Sequence, residues 1–142
     1  DGIEVDEHLM TSMKDVYAAG DVALLYNSYL GEKIRIEHWN NAQYTGSLAA
    51  KNMLGSSEVY DFFSTVWSDV FDLHIESAGV TNGWEEKATV GNYQDKRFAS
   101  VFIKEKKAIG YIAVNLDWEK IEALNETVKN RKQITNPECF SI

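Results

Sequence analysis

The chain has 142 residues, 44% of them apolar and 12% aromatic, with 22 acidic against 14 basic side chains and a net charge of −8. That composition supports a packed core and excludes a disordered chain. Its acidity excludes non-specific nucleic-acid binding, which needs Lys and Arg to neutralise phosphates. A lone cysteine, Cys139, can build neither an internal disulfide nor a cysteine metal site and points to a reducing, cytoplasmic compartment. No apolar run approaches the roughly 20 residues needed to cross a bilayer, so no membrane partner is expected.

In chain order, the opening "DGIEVDEHLMTS" reads as the middle of a strand and turn, the expectation for the tail of a longer polypeptide. Its "HLMTS", with His8, reads as exposed loop. "VYAAGD", Val16 to Asp21, is short, apolar and closed by Gly, the pattern of a buried strand. A long polar loop is expected next, then a helix from Glu37 to Leu54. Trp39, Ala42, Gly46, Ala49, Ala50 and Met53 recur at three- and four-residue steps and define one narrow face of it. Gly55 is placed to cap its end. Gly46 costs about 1 kcal/mol against Ala in a helix, so a close approach by another backbone or a ligand is expected there.

"GSSEVYD" is small and polar between two patterned regions and marks the boundary. Residues 1–55 form one part and 56–142 a second. In the second, "LHIESAG" and "KATVGN" read as short strands. "RFASVFIK" alternates Phe98, Ser100 and Phe102 against Ala99, Val101 and Ile103, so both faces of that strand should be covered. "EKK" turns it into "AIGYIAVN" as a hairpin of undetermined turn type. A last helix starts near Asp117, with Trp118, Ile121, Leu124 and Val128 as its stripe and acidic-to-basic order along its axis. The fold class is therefore α+β, a strand, loop and helix followed by a small antiparallel sheet with a packed C-terminal helix.

Two stretches carry candidate chemistry. A carboxylate after Gly at a strand end, Gly20 and Asp21, can accept hydrogen bonds from sugar or polyol hydroxyls; the same dipeptide also makes an ordinary turn in which Asp21 caps backbone amides. A helix starting at "EHWNNA" offers backbone amides and a partial positive charge, suited to an oxygen that gains charge in a reaction, or is simply a helix start with an aromatic staple. His8, His38 and His74 lack metal-ligand spacing, so no metal site is expected. His74 alternates with Leu73 and Ile75 in a strand and reads as solvent-facing or satisfied. Asp69 and Asp72 read as a cap and a surface charge, and Lys104, Lys106 and Lys107 as a charged hairpin tip open to an acidic redox partner.

In their order, "GIEVDEHLMTS", "TSMKDVYAAGDV" and "EHWNNAQYTGSLAAKNMLG" resemble the closing part of the FAD domain of flavin-dependent pyridine-nucleotide reductases. The branch is the ferredoxin-reductase-like one, with putidaredoxin-type and rhodocoxin-type reductases and apoptosis-inducing factor. "VWSDVFDLHIESAG" resembles the segment leading into that branch's C-terminal domain, and the likeness is looser after Gly79.

The resemblance implies residues 1–55 as a remnant of the FAD-binding domain and 56–142 as the reductase C-terminal domain. It implies that Gly20 and Asp21 hold the ribityl and pyrophosphate region of FAD. Glu37, His38 and Trp39 would lie along the isoalloxazine, and Trp67 would be the aromatic that the C-terminal domain brings near the flavin. Val66 stands where the family usually has Phe, and Ser64-Thr65 replaces its usual Pro-aromatic pair, which leaves open the packing beside Trp67 and the approach of nicotinamide or acceptor.

No Gly-x-Gly-x-x-Gly follows a strand in this sequence, so the dinucleotide-binding turns for FAD and for NADH or NADPH are missing from it. Neither a Cys-x4-Cys pair nor a His-Pro-x-Thr signature is present, which favours the branch that passes electrons to a ferredoxin or rubredoxin. The expectation is the C-terminal segment of an FAD-dependent NAD(P)H reductase, inactive alone and able to take part in a homodimer. An interaction or oligomerisation module without catalytic role, or an unrelated acidic α+β binding domain, are the alternatives.

Overall fold

The computed structural model describes residues 1–137 and 140–141; Cys139 lies outside the described residues. The chain divides into two compact units, Asp1–Ser64 and Thr65–Ile142. The described part is α+β with two α-helices, as the sequence predicts.

The first unit holds a three-stranded mixed sheet, β1 (Ile3–Glu4), β2 (Ala23–Asn27) and β3 (Glu32–Ile34), in the order β1-β2-β3. β1 runs parallel to β2, and β3 antiparallel to it with Leu25 opposite Ile34 and Asn27 opposite Glu32. The residues read as a long loop therefore contain a hairpin. "ALLYN" alternates buried and less buried side chains, and the Asn27 side chain accepts from the amides of Tyr29 and Leu30 to form the turn. "VYAAGD", by contrast, is not a strand. Tyr17 makes one bridge, to Met10, and Gly20–Val22 is a single 3-10 turn that leads into β2. Gly20 at φ +71 ends the extended run.

Helix α1 (Trp39–Met53) follows. It closes as a Schellman motif: the Gly55 amide donates to the Asn52 carbonyl (3.0 Å) and the Ser56 amide to that of Lys51 (3.1 Å), with Gly55 at φ +97. Its buried face is Asn41, Thr45, Leu48, Ala49 and Asn52, whereas Trp39, Gly46, Ala50 and Met53 are exposed. The predicted apolar stripe is thus out of phase with the packed face. Polar groups enter the interior because each has a fixed partner. Asn41 donates to the Ile36 carbonyl and accepts from the Tyr60 hydroxyl (2.9 Å). Asn52 donates to the carbonyls of His8 and Glu58 and accepts from the Glu58 amide. Burial pushes the Tyr60 phenol up to about 12, so it remains a donor. Residues 56–64 are bound in this way to α1 and to the Glu7 carbonyl, and Phe62 stacks on Tyr44 at 4.6 Å. The unit's core is Val5, Leu9, Ala18, Ala23, Leu25, Leu48, Ala49 and Tyr60. "HLMTS" contributes to it, because Leu9 is fully buried in a turn that the Asp6 carboxylate caps through the amides of His8 and Met10.

The second unit is an antiparallel sheet of β4 (Thr65–Val70), β5 (Leu73–Gly79), β6 (Glu86–Asn92), β7 (Arg97–Lys104) and β8 (Lys107–Val114), ordered β4-β5-β8-β7-β6, with helix α2 (Trp118–Lys129). Both faces of β7 are covered, as the alternation predicts. Trp84 stacks on Phe102 and Tyr93 tilts on Phe98 on one face. On the other, α2 packs over β5 and β8 and Tyr111 donates to Asn125 (2.8 Å). Ile121, Leu124 and Val128 of the predicted stripe are buried, while Trp118 is 69% exposed at the first turn. Glu105 and Lys106 form a two-residue turn with φ +50 and +61, the type I′ geometry that follows the twist of the flanking strands.

Candidate functional site

The first unit brings the two sequence stretches together. Thr45, fully buried on α1, accepts the Gly20 amide (2.9 Å) while its hydroxyl donates to the Asn41 carbonyl (2.7 Å). This stitches the Gly-Asp turn to the helix. Gly20 holds a positive φ, and a Cβ there would sit 3.6 Å from Ala42, so backbone conformation rather than space calls for glycine. Arg35, preceding the helix, donates to the Asp21 carbonyl (3.0 Å) and to the Glu37 carboxylate (2.8 Å). The Glu37 side chain is thereby engaged in an ion pair. Asp21 and Glu37 are exposed, and Trp39 is 65% exposed at the first helical position.

His38 is the N-cap residue, yet its ring does not cap the helix. Its Nδ1 lies 3.0 Å from Ser64 Oγ, and Ser64 Oγ lies 3.1 Å from Asn40 Oδ1. Asn40 Oδ1 also accepts the Asn41 amide at 2.8 Å. Burial lowers the His38 pKa below the ordinary histidine value, and the nearby Asp21 charge opposes that shift. Asp21 and His38 therefore sense each other across the gap between turn and helix. Ser64 and Asn40 were not among the predicted site residues. Nothing in the local sequence marks Ser64, whose partner His38 lies 26 residues away in the chain.

Trp67 lies in the second unit, on β4, opposite Glu76 of β5, and is 47% exposed. Beside it His74 is satisfied by Asp69 at 2.6 Å and Glu76 at 3.1 Å, and those hydrogen bonds raise its pKa. Asp72 pairs with Lys96. Asp69 is thus an ion-pair partner rather than a cap. Among the described residues no cluster of His, Cys, Asp or Glu is arranged to hold a metal ion, and no helix is long and apolar enough to cross a membrane. A groove of about 1150 Å³ in the first unit is lined by Ile3, Val5, Met10, Met13, Val16 and Tyr17 among others, and none of the predicted site residues lines it.

A mixed sheet with one helix, followed by a five-stranded antiparallel sheet with a C-terminal helix, matches a part of a ferredoxin-reductase structure. The ferredoxin reductase for the CYP199A2 system from Rhodopseudomonas palustris superposes with a TM-score of 0.84 at 29% identity, covering 96% of this chain and 33% of that one. Residues 1–46 match the pyridine nucleotide-disulphide oxidoreductase family, and residues 65–139, over half of the chain, match the Reductase C-terminal family, to which this chain belongs. The ferredoxin reductase subunit of the 5,5'-dehydrodivanillate O-demethylase of Sphingobium sp. is 30% identical, over 80% of this chain and 28% of its own length. The ferredoxin–NAD(+) reductase component of the anthranilate 1,2-dioxygenase system of Burkholderia cepacia is 35% identical, over 56% and 20%. The chain spans about a third or less of the length of these relatives.

Proposed function

We propose that this chain is the C-terminal part of an FAD-dependent NAD(P)H reductase that delivers electrons to a ferredoxin- or rubredoxin-type protein in the cytoplasm. The observation that carries the reading is the joining of Gly20-Asp21 to the start of α1 through Thr45 and Arg35. The His38 imidazole, whose charged form burial disfavours, stands there at a helix start. That donor and acceptor set fits FAD: Asp21 would take ribityl hydroxyls, and the first turn of α1 with His38 and Trp39 would lie along the ring. When bound, a flavin accepts hydride and releases electrons singly or in pairs. The residues of this chain orient it.

The groove supports the reading of the first unit as one piece of a larger domain. The parallel pair β1–β2 borders it, and parallel strands are ordinarily covered on both faces. A second reading, an interaction or oligomerisation module without catalysis, draws on the β4–β5 hairpin, where Val70 is 44% exposed and Phe71 fully exposed at φ +55.

A visible spectrum separates the two. The whole polypeptide should be yellow and should bleach on anaerobic addition of NADH or NADPH; a colourless preparation that takes up no added FAD would remove the reductase reading. Residues 1–142 alone should bind FAD more weakly than a Kd of about 1 μM, or about 8 kcal/mol of binding free energy, since the phosphate-binding turns are not in this sequence.

A further inference from the structure

We propose that Ser64 and Asn40 lock His38 as the neutral Nδ1–H tautomer, so that its Nε2 is a hydrogen-bond acceptor for an O–H or N–H group of the bound flavin nucleotide. The ligand class rests on the reductase reading; the tautomer does not. The argument follows the protons along the chain of hydrogen bonds. The Asn41 backbone amide can only donate, so the Asn40 side-chain atom it meets at 2.8 Å is the carbonyl oxygen. That oxygen can only accept, so the Ser64 hydroxyl, 3.1 Å away, gives it its single proton. The Ser64 oxygen is then left as an acceptor toward His38 Nδ1 at 3.0 Å, and Nδ1 must carry a hydrogen.

Burial disfavours the imidazolium, so at neutral pH the other ring nitrogen carries a lone pair. An acceptor nitrogen at the helix start selects ligand groups that donate, such as polyol hydroxyls and the imide N–H of a flavin, and disfavours phosphate oxygens. Ser64 is a positioning residue, acting through His38.

The test is ¹⁵N-histidine NMR on the 142-residue chain at pH 7.5. Expected is a His38 ring protonated at Nδ1 and bare at Nε2 in the wild type and in Ser64→Thr, which keeps the hydroxyl. Ser64→Ala should shift His38 to a mixture dominated by Nε2–H. Persistence of the Nδ1–H form in Ser64→Ala, or Nε2–H in the wild type, would overturn the lock, and the amide spectrum of each variant shows whether it is folded.

FAD is then titrated to millimolar concentration. Movement of the bare Nε2 resonance to lower shift, as an accepted hydrogen bond requires, supports the acceptor role. A response of the Asp21 carboxyl with Nε2 unchanged would overturn that role and leave the flavin reading standing. Silence at both groups would overturn the ligand assignment, while the flavin reading is decided separately by the visible spectrum of the whole polypeptide.

Discussion

Leu9 shows how much a single residue can organise. It is fully buried, it holds φ +67, and its carbonyl accepts the Ala18 amide at 3.1 Å, so the opening turn and the segment before Gly20 both depend on it. A left-handed backbone costs a non-glycine residue roughly 1–2 kcal/mol, and the burial of a leucine side chain, about 1.5–3 kcal/mol, offsets it. Leu9→Ala should therefore destabilise the first unit by about 2–5 kcal/mol. Leu9→Gly, which relieves the strain, should be no less stable than Leu9→Ala, the reverse of the order usual in helices and strands. Urea midpoints for the two variants check this, and a glycine variant clearly weaker than the alanine variant would refute it. The sequence "HLMTS" reads as surface because three of its five residues are polar. The buried position of Leu9 is set by Asp6 capping the turn, and that geometry has no periodic signature.

At the scale of elements, alternation was informative wherever packing alone decides the face. β5 and β7 occupy the bounds that "LHIESAG" and "RFASVFIK" define, and α2 buries three of its four stripe residues. The three- and four-residue spacing misled on α1, because Asn41, Thr45 and Asn52 are buried through hydrogen bonds made to residues up to 44 positions away, which no local pattern encodes. The same long-range bonds draw residues 56–64 into the first unit, although "GSSEVYD" has the composition of a linker.

Turn type was likewise unreadable from Glu105-Lys106, since neither residue favours a positive φ, yet both adopt one. Glu105→Asn with Lys106→Gly supplies the residues this turn favours. It should raise the stability of the second unit by about 0.5–1 kcal/mol, the range seen when a side chain is fitted to its backbone conformation. Thermal melting of the double variant would show the gain, and a lower midpoint would contradict the type I′ assignment.

Across the whole molecule, the two units carry histidines shifted in opposite senses, and their stabilities should respond oppositely to pH. In the first unit burial lowers the His38 pKa, so the unfolded chain takes up a proton before the folded one does. Stability contributed there is present above about pH 6.5 and is lost as pH falls toward the depressed folded value. In the second unit hydrogen bonds from Asp69 and then Glu76 raise the His74 pKa. That contribution is full below about pH 6.5 and is lost as pH rises through the raised folded value. One unit of pKa separation corresponds to about 1.4 kcal/mol, and solvent around the exposed His74 pair reduces its share to a fraction of that.

The sequence marks two stretches, Gly20-Asp21 and Glu37-His38-Trp39, that the fold of the first unit brings together. Their coupling through Thr45 and Arg35, and the link from His38 to Ser64, arise only when the chain folds. Hydrogen exchange, corrected for intrinsic rates and followed at Leu25 and Leu48 in one unit and Ile75 and Tyr111 in the other, resolves the two responses. Between pH 7.5 and 5.5 the opening free energy of the first unit should fall and that of the second should rise. His38→Gln should abolish the first trend and His74→Gln the second. Parallel trends in both units, unaltered by either substitution, would mean that these two imidazoles do not govern the response.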